Sequence, residues 1–105
     1  MSIDVIWLES AKYDLDRLYN YYVEKSISAA VRMHNGIIDE SKRLANNPEM
    51  APIDSLIRKP SKKYRSLLVS KGRFKVVYFV ENKTVKIARV WGCRQNPKKL
   101  SRYFK

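Results

Sequence analysis

KKYRSLLVSKGRFKVVYFVENKTVKIARVWGCRQN, residues 62–96, holds three β-type segments in immediate succession, with cationic side chains recurring through all of them. Around Lys75 the chain alternates. Phe74, Val76, Tyr78 and Val80 fall on one face of a strand, and Arg73, Lys75, Val77 and Phe79 on the other. The next segment sets Val85, Ile87, Arg89 and Trp91 opposite Lys86, Ala88 and Val90. Ser70-Lys71-Gly72 supplies one turn and Asn82-Lys83 a two-residue one, because Asn tolerates positive φ. Strands are therefore expected at about 64–69, 73–81 and 84–91, joined tightly enough to form an antiparallel meander. A sheet of this kind has a packed side and a set of fixed positive charges, which suits it to polyanions.

Upstream, Ser2–Leu8 alternates Ile3, Val5 and Trp7 against Asp4, Ile6 and Leu8, the pattern of a first strand. Ser10 offers an N-cap oxygen, and Ala11, Leu15, Leu18 and Tyr22 repeat at helical spacing, predicting a helix over 10–25. Ser28 can cap a second helix with Ala30, Met33, Ile37, Ile38 and Leu44 on its apolar face. Asn46-Asn47-Pro48 ends it, since Pro cannot continue the hydrogen-bonded ladder. The short break makes the helices an antiparallel hairpin. Tyr13, Tyr19, Tyr21 and Tyr22 are expected to pack into the core and between the helices rather than to offer a stacking platform. Residues 49–61, with Pro52 and Pro60, read as loop. The fold class is α+β: an N-terminal strand and a two-helix hairpin packed on a mainly antiparallel sheet, completed by the C-terminal meander. Residues 1–105 make one domain.

The charge is lopsided. Residues 1–52 carry 6 Lys/Arg against 8 Asp/Glu, a net of −2, whereas residues 53–105 carry 16 against 2, a net of +14. The charges of the second half lie within apolar strand patterns, so they are not a solvated tail, and an anionic partner is expected. Cys93 is the single cysteine, which excludes an intramolecular disulfide and a cysteine metal cluster. His34 is the single histidine and reads as a helix residue. Two-metal phosphodiester chemistry needs clustered acids, yet only Asp54 and Glu81 lie in the basic half, so neither metal nor cofactor is expected. With no secretion-signal pattern and no bilayer-length apolar run, the expectation is a cytoplasmic protein without membrane partners.

The chemistry left is cationic. Arg65, Lys71, Arg73, Lys75, Arg89 and Arg94 can bind phosphates, and Arg or Lys can stabilise a phosphoryl transition state. RNA is cleavable without metal through its own 2′-OH, given charge neutralisation and a proton shuttle, for which a Lys among other cations serves.

The order of elements resembles the RelE/ParE superfamily of bacterial type II toxins. Tyr64-Arg65-Ser66-Leu67, Gly72-Arg73-Phe74-Lys75-Val76-Val77-Tyr78 and Val90-Trp91-Gly92-Cys93-Arg94-Gln95-Asn96-Pro97 carry the resemblance, which spans nearly the whole chain. It implies a small basic toxin neutralised by a cognate acidic antitoxin, the pair binding its own operator DNA through the antitoxin. One branch cuts ribosome-bound mRNA without metal. By that resemblance Arg65, Lys75, Arg94 and Tyr103 are catalytic, with Lys63, Lys71, Arg73 and Arg89 binding RNA. The other branch poisons DNA gyrase without catalysis. Leu67 stands where the ribonucleases carry Lys, and Arg94-Gln95-Asn96-Pro97 leans toward the gyrase branch. The expected function is a toxin that inhibits translation by cleaving mRNA on the ribosome. The alternatives are a gyrase inhibitor and a non-toxic nucleic-acid-binding domain.

Overall fold

The structure, a computed structural model, describes residues 3–57 and 62–93. The elements run β1 (Asp4–Trp7), α1 (Glu9–Val23), α2 (Ile27–Ser41), a 3₁₀ turn (Lys42–Ala45), β2 (Arg65–Val69), β3 (Phe74–Glu81) and β4 (Thr84–Gly92). The sheet order is β1-β4-β3-β2, with β1 parallel to β4 and the remaining pairs antiparallel. The expected α+β arrangement is present. Asn82 and Lys83 both adopt positive φ (53° and 56°) in the two-residue turn between β3 and β4, the backbone twist that such hairpins require.

The main core lies between the sheet and the helical hairpin. Phe74, Val76, Tyr78, Val85, Ile87 and Val90 meet Ala11, Leu15, Ile37 and Leu44 there. A second cluster, Ile57, Tyr64, Val77, Phe79, Ala88 and Trp91, covers the opposite face. The strict alternation expected for β4 breaks between these layers. Val77 pairs with Arg89 but Tyr78 pairs with Ile87, so Ala88 is an extra residue and β4 bulges. Beyond the bulge, facing is inverted: Val90 joins the helix side with Val85 and Ile87, and Trp91 goes to the other side with Ala88.

The helix ends also differ from expectation. Leu8, not Ser10, occupies the N-cap position of α1 and makes no side-chain cap bond. Pairing of β1 with β4 stops at Trp7–Ile87. Past that point α1 supplies partners for the β4 edge: the Ser10 hydroxyl donates to Ala88 O at 2.6 Å, and Val90 N–H donates to Asp14 Oδ2 at 3.0 Å. Ser10 is spent on the sheet edge. Ser26, not Ser28, caps α2, accepting from Ala29 N–H at 3.2 Å in an extended conformation that Ser28, inside the helix, does not have. α2 ends at Ser41, whose hydroxyl donates back to Ile37 O at 2.7 Å, and tightens to 3₁₀ before Asn46.

The tyrosines divide. Tyr19 and Tyr22 are partly buried, while Tyr13 and Tyr21 are 60% and 58% exposed and so do not serve the core.

Candidate functional site

Three of the expected phosphate-binding cations are committed internally. Arg65 pairs with Tyr78 across β2–β3, and cross-strand partners share a face, so Arg65 lies on the helix side. Its Nη1 donates to Ala51 O at 2.7 Å and more weakly to Glu49 O at 3.4 Å, while Tyr78 donates its hydroxyl to Pro48 O at 2.8 Å. Together they pin the segment leading from the helical hairpin to β2. Lys75 pairs with Trp91, on the opposite face. Its Nζ is 3.0 Å from Asp54 Oδ2 and its side chain is only 14% exposed, so it is not free for the phosphate expected of it. Arg65 and Lys75 thus cannot close on one phosphate from the same side of the sheet.

Asp54 is the hub of the second face. Its Oδ2 accepts from Ser66 Oγ at 2.7 Å as well as from Lys75, and its Oδ1 accepts from Leu56 N–H at 3.0 Å. Burial pushes this carboxyl up, but hydrogen bonds from Ser66, Lys75 and Leu56 outweigh it and hold the group below the usual Asp value. Leu67, on the same face of β2 as Arg65, packs into the main core.

Arg89 is committed as well. Its Nε and Nη2 donate to the two oxygens of Asp14, on α1, at 2.8 and 2.7 Å, a bidentate pair. Burial raises the Asp14 carboxyl against the pull of Val90 N–H and Arg89.

Lys71 and Arg73 remain exposed, carried by the β2–β3 turn, in which Ser70, Lys71 and Gly72 all have positive φ (51°, 57° and 82°). They line one side of a cleft of about 720 Å³, whose other walls are α1 (Arg17, Leu18, Tyr21, Tyr22) and the end of β4. Four cations line the cleft against one carboxylate, Asp14, a net of +3. Cys93 lies at its rim with its thiol pushed up by burial, only partly offset by nearby Lys75, so it is not poised as a thiolate nucleophile. Lys63 is exposed beside β2. Arg94 and Tyr103 lie outside the described residues. Among the described residues no group of His, Cys, Asp and Glu has metal-binding geometry. No helix among them is long and apolar enough to cross a membrane.

Sequence reasoning missed the roles of Asp14 and Asp54. A signal for Asp54 existed: it is one of two acids in residues 53–105, and both are counter-ions to strand lysines, Asp54 to Lys75 and Glu81 to Lys86.

Comparison with known proteins agrees with this architecture. The chain is similar in fold to a chain of the chromosomal ParDE toxin–antitoxin system from P. aeruginosa, with a TM-score of 0.72 and 22% identity over 87% of this chain and 96% of that one. A chain of the RelBE2 toxin–antitoxin complex from Mycobacterium tuberculosis matches with a TM-score of 0.51 and 20% identity, over 88% of this chain and 99% of that one. No curated protein matches the sequence. One family's sequence signature, described as ParE toxin of type II toxin-antitoxin system, parDE, runs through residues 5–97 and takes in both helices, the sheet and the cleft. The chain therefore belongs to the ParE toxin family of type II toxin–antitoxin systems.

Proposed function

We propose that this toxin acts by binding its target, DNA gyrase, rather than by cutting RNA, and that a cognate acidic antitoxin neutralises it. One observation carries the reading: Arg65 and Lys75 lie on opposite faces of the sheet, each engaged by internal acceptors. A metal-independent ribonuclease needs cations converging on one phosphate and free to meet it. Arg89, held by Asp14, adds nothing to such a cluster. The surface left for recognition includes the exposed rings Tyr13 and Tyr21 and the exposed cations Arg17 and Arg73, Tyr and Arg being residue types enriched at protein-binding faces. The +14 half attracts an acidic antitoxin over long range.

Expression without antitoxin, with protein and DNA synthesis pulse-labelled separately, tests the reading. DNA labelling should fall first, with protein labelling initially intact. Immediate loss of protein labelling with DNA labelling preserved overturns it in favour of mRNA cleavage on the ribosome, with Arg94 and Tyr103 as the first residues to substitute.

A further inference from the structure

We propose that the cleft between α1 and the β2–β3 turn binds a free nucleoside polyphosphate. The inference does not depend on whether gyrase is the target. It begins from how the cations are distributed. Arg65, Lys75, Arg89 and Lys86 each have an acceptor within the fold. Among the described residues, the side chains of Lys71 and Arg73 have neither a hydrogen bond nor an ion pair. Arg17 makes neither a hydrogen bond nor an ion pair with its side chain; its guanidinium lies 5.7 Å from the Tyr13 ring and feels the Asp14 carboxylate only at longer range, an acid already paired with Arg89. These three cations, none held in an ion pair, line one cleft.

Like charges gathered without counter-ions repel one another, and a multivalent anion relieves that repulsion. Arg17 and Arg73 offer planar forks that match phosphate oxygens, and Lys71 adds a mobile point charge. The turn that presents Lys71 and Arg73 holds two non-glycine residues, Ser70 and Lys71, in the left-handed region, a conformation that recurs at ligand-binding turns. The same two cations also line a second, smaller hollow of about 420 Å³ against Arg32 and Met33, so they form a ridge between two cationic depressions.

Charge alone would suit any polyanion, but the rest of the lining narrows the ligand. Leu18, Tyr22, Phe74 and Val90 give the cleft an apolar floor, and Tyr21, 58% exposed, stands at its mouth. Tyr21 meets Tyr22 edge-on at 5.2 Å, which fixes the orientation of the ring. The convex backbone of a duplex has no use for an apolar floor. A flat aromatic group carrying phosphates has a use for both parts, and the volume lies within the range of small-molecule sites.

Isothermal titration calorimetry of the full chain with ATP, AMP, adenosine and inorganic triphosphate at low salt tests the proposal. ATP should bind more tightly than AMP, and adenosine should give no heat. Lys71→Ala/Arg73→Ala should weaken ATP binding by roughly tenfold or more, while Lys83→Ala, at the far hairpin tip, leaves it unchanged. Tyr21→Ala should weaken ATP but not triphosphate. Arg17→Ala, a substitution on an exposed helix face, gives an independent reading should the double variant fail to fold. Four results overturn the proposal: no ATP heat at millimolar concentration; equal loss with Lys83→Ala; triphosphate binding as tightly as ATP; and displacement of ATP by poly-glutamate at low occupancy, which would assign the cleft to an acidic polypeptide.

Discussion

Asp54 does at the residue scale what a phosphate would do: it gathers Lys75, Ser66 and a backbone N–H onto one carboxylate. Truncating one partner of a buried ion pair leaves the other charge uncompensated, so Asp54→Ala should lower stability by about 3 kcal/mol in urea unfolding. The pH dependence has a definite sign. A carboxyl held below its unfolded value of 3.8 contributes stability that is present above that value and is lost as pH falls through the lower folded value. Acid titration of wild type should therefore show a loss of stability below about pH 4 that Asp54→Asn lacks. The same residue separates structural from catalytic roles for Lys75. If Lys75 only holds the fold, Asp54→Ala and Lys75→Ala should reduce toxicity in proportion to their stabilities. A Lys75→Ala protein that is as stable as wild type but non-toxic would point to catalysis.

At the scale of elements, the informative features are where α1 takes over from β1 and where α2 begins. β1 is four residues long, and the five residues of β4 beyond Ile87 would present an open edge had Ser10 and Asp14 not turned toward it. The bulge at Ala88 falls in the same stretch and returns Val90 to the core, while Arg89 beside it is held by Asp14. The cap of α2 yields a plain comparison. Ser26→Ala removes the acceptor for Ala29 N–H and should cost about 1 kcal/mol, whereas Ser28→Ala, at an exposed position inside the helix, should cost little or add slightly. Thermal melts of the two variants check this. A larger loss from Ser28→Ala would mean that the helix begins two residues later.

For the whole molecule the governing quantity is charge asymmetry, −2 against +14. The internal counter-ions neutralise only some of the basic half, and Lys63, Lys71, Arg73 and Lys83 remain exposed. Association with an acidic antitoxin should therefore be accelerated by long-range attraction and screened by salt. Between about 0.05 and 0.5 M salt the association rate should fall by roughly tenfold, with the dissociation rate changing less. Stopped-flow mixing measures both. A rate indifferent to salt would mean that the complex forms through the apolar clusters and that the charge serves another partner.

What the residues determine locally was legible in the chain itself. Period-two alternation and positive-φ Asn placed the β3–β4 hairpin, 3.6-residue spacing placed both helices, and Tyr64 to Pro97 carried the likeness to the toxin family now shown by the match over residues 5–97. What depended on partners distant in sequence was not. Arg65, Lys75 and Arg89 look alike as cations, but each acquires its role from a group brought to it by the fold: the Ala51 carbonyl, Asp54 and Asp14. Alternation assigned Lys75 and Arg89 each a face of its own strand without showing which cation could reach which acid, and one extra residue at Ala88 reversed the facing of Val90 and Trp91. Local periodicity is set by backbone geometry within a few residues. Which charges remain free to act is set by tertiary contacts as far apart as Asp14 and Arg89, which no local pattern records.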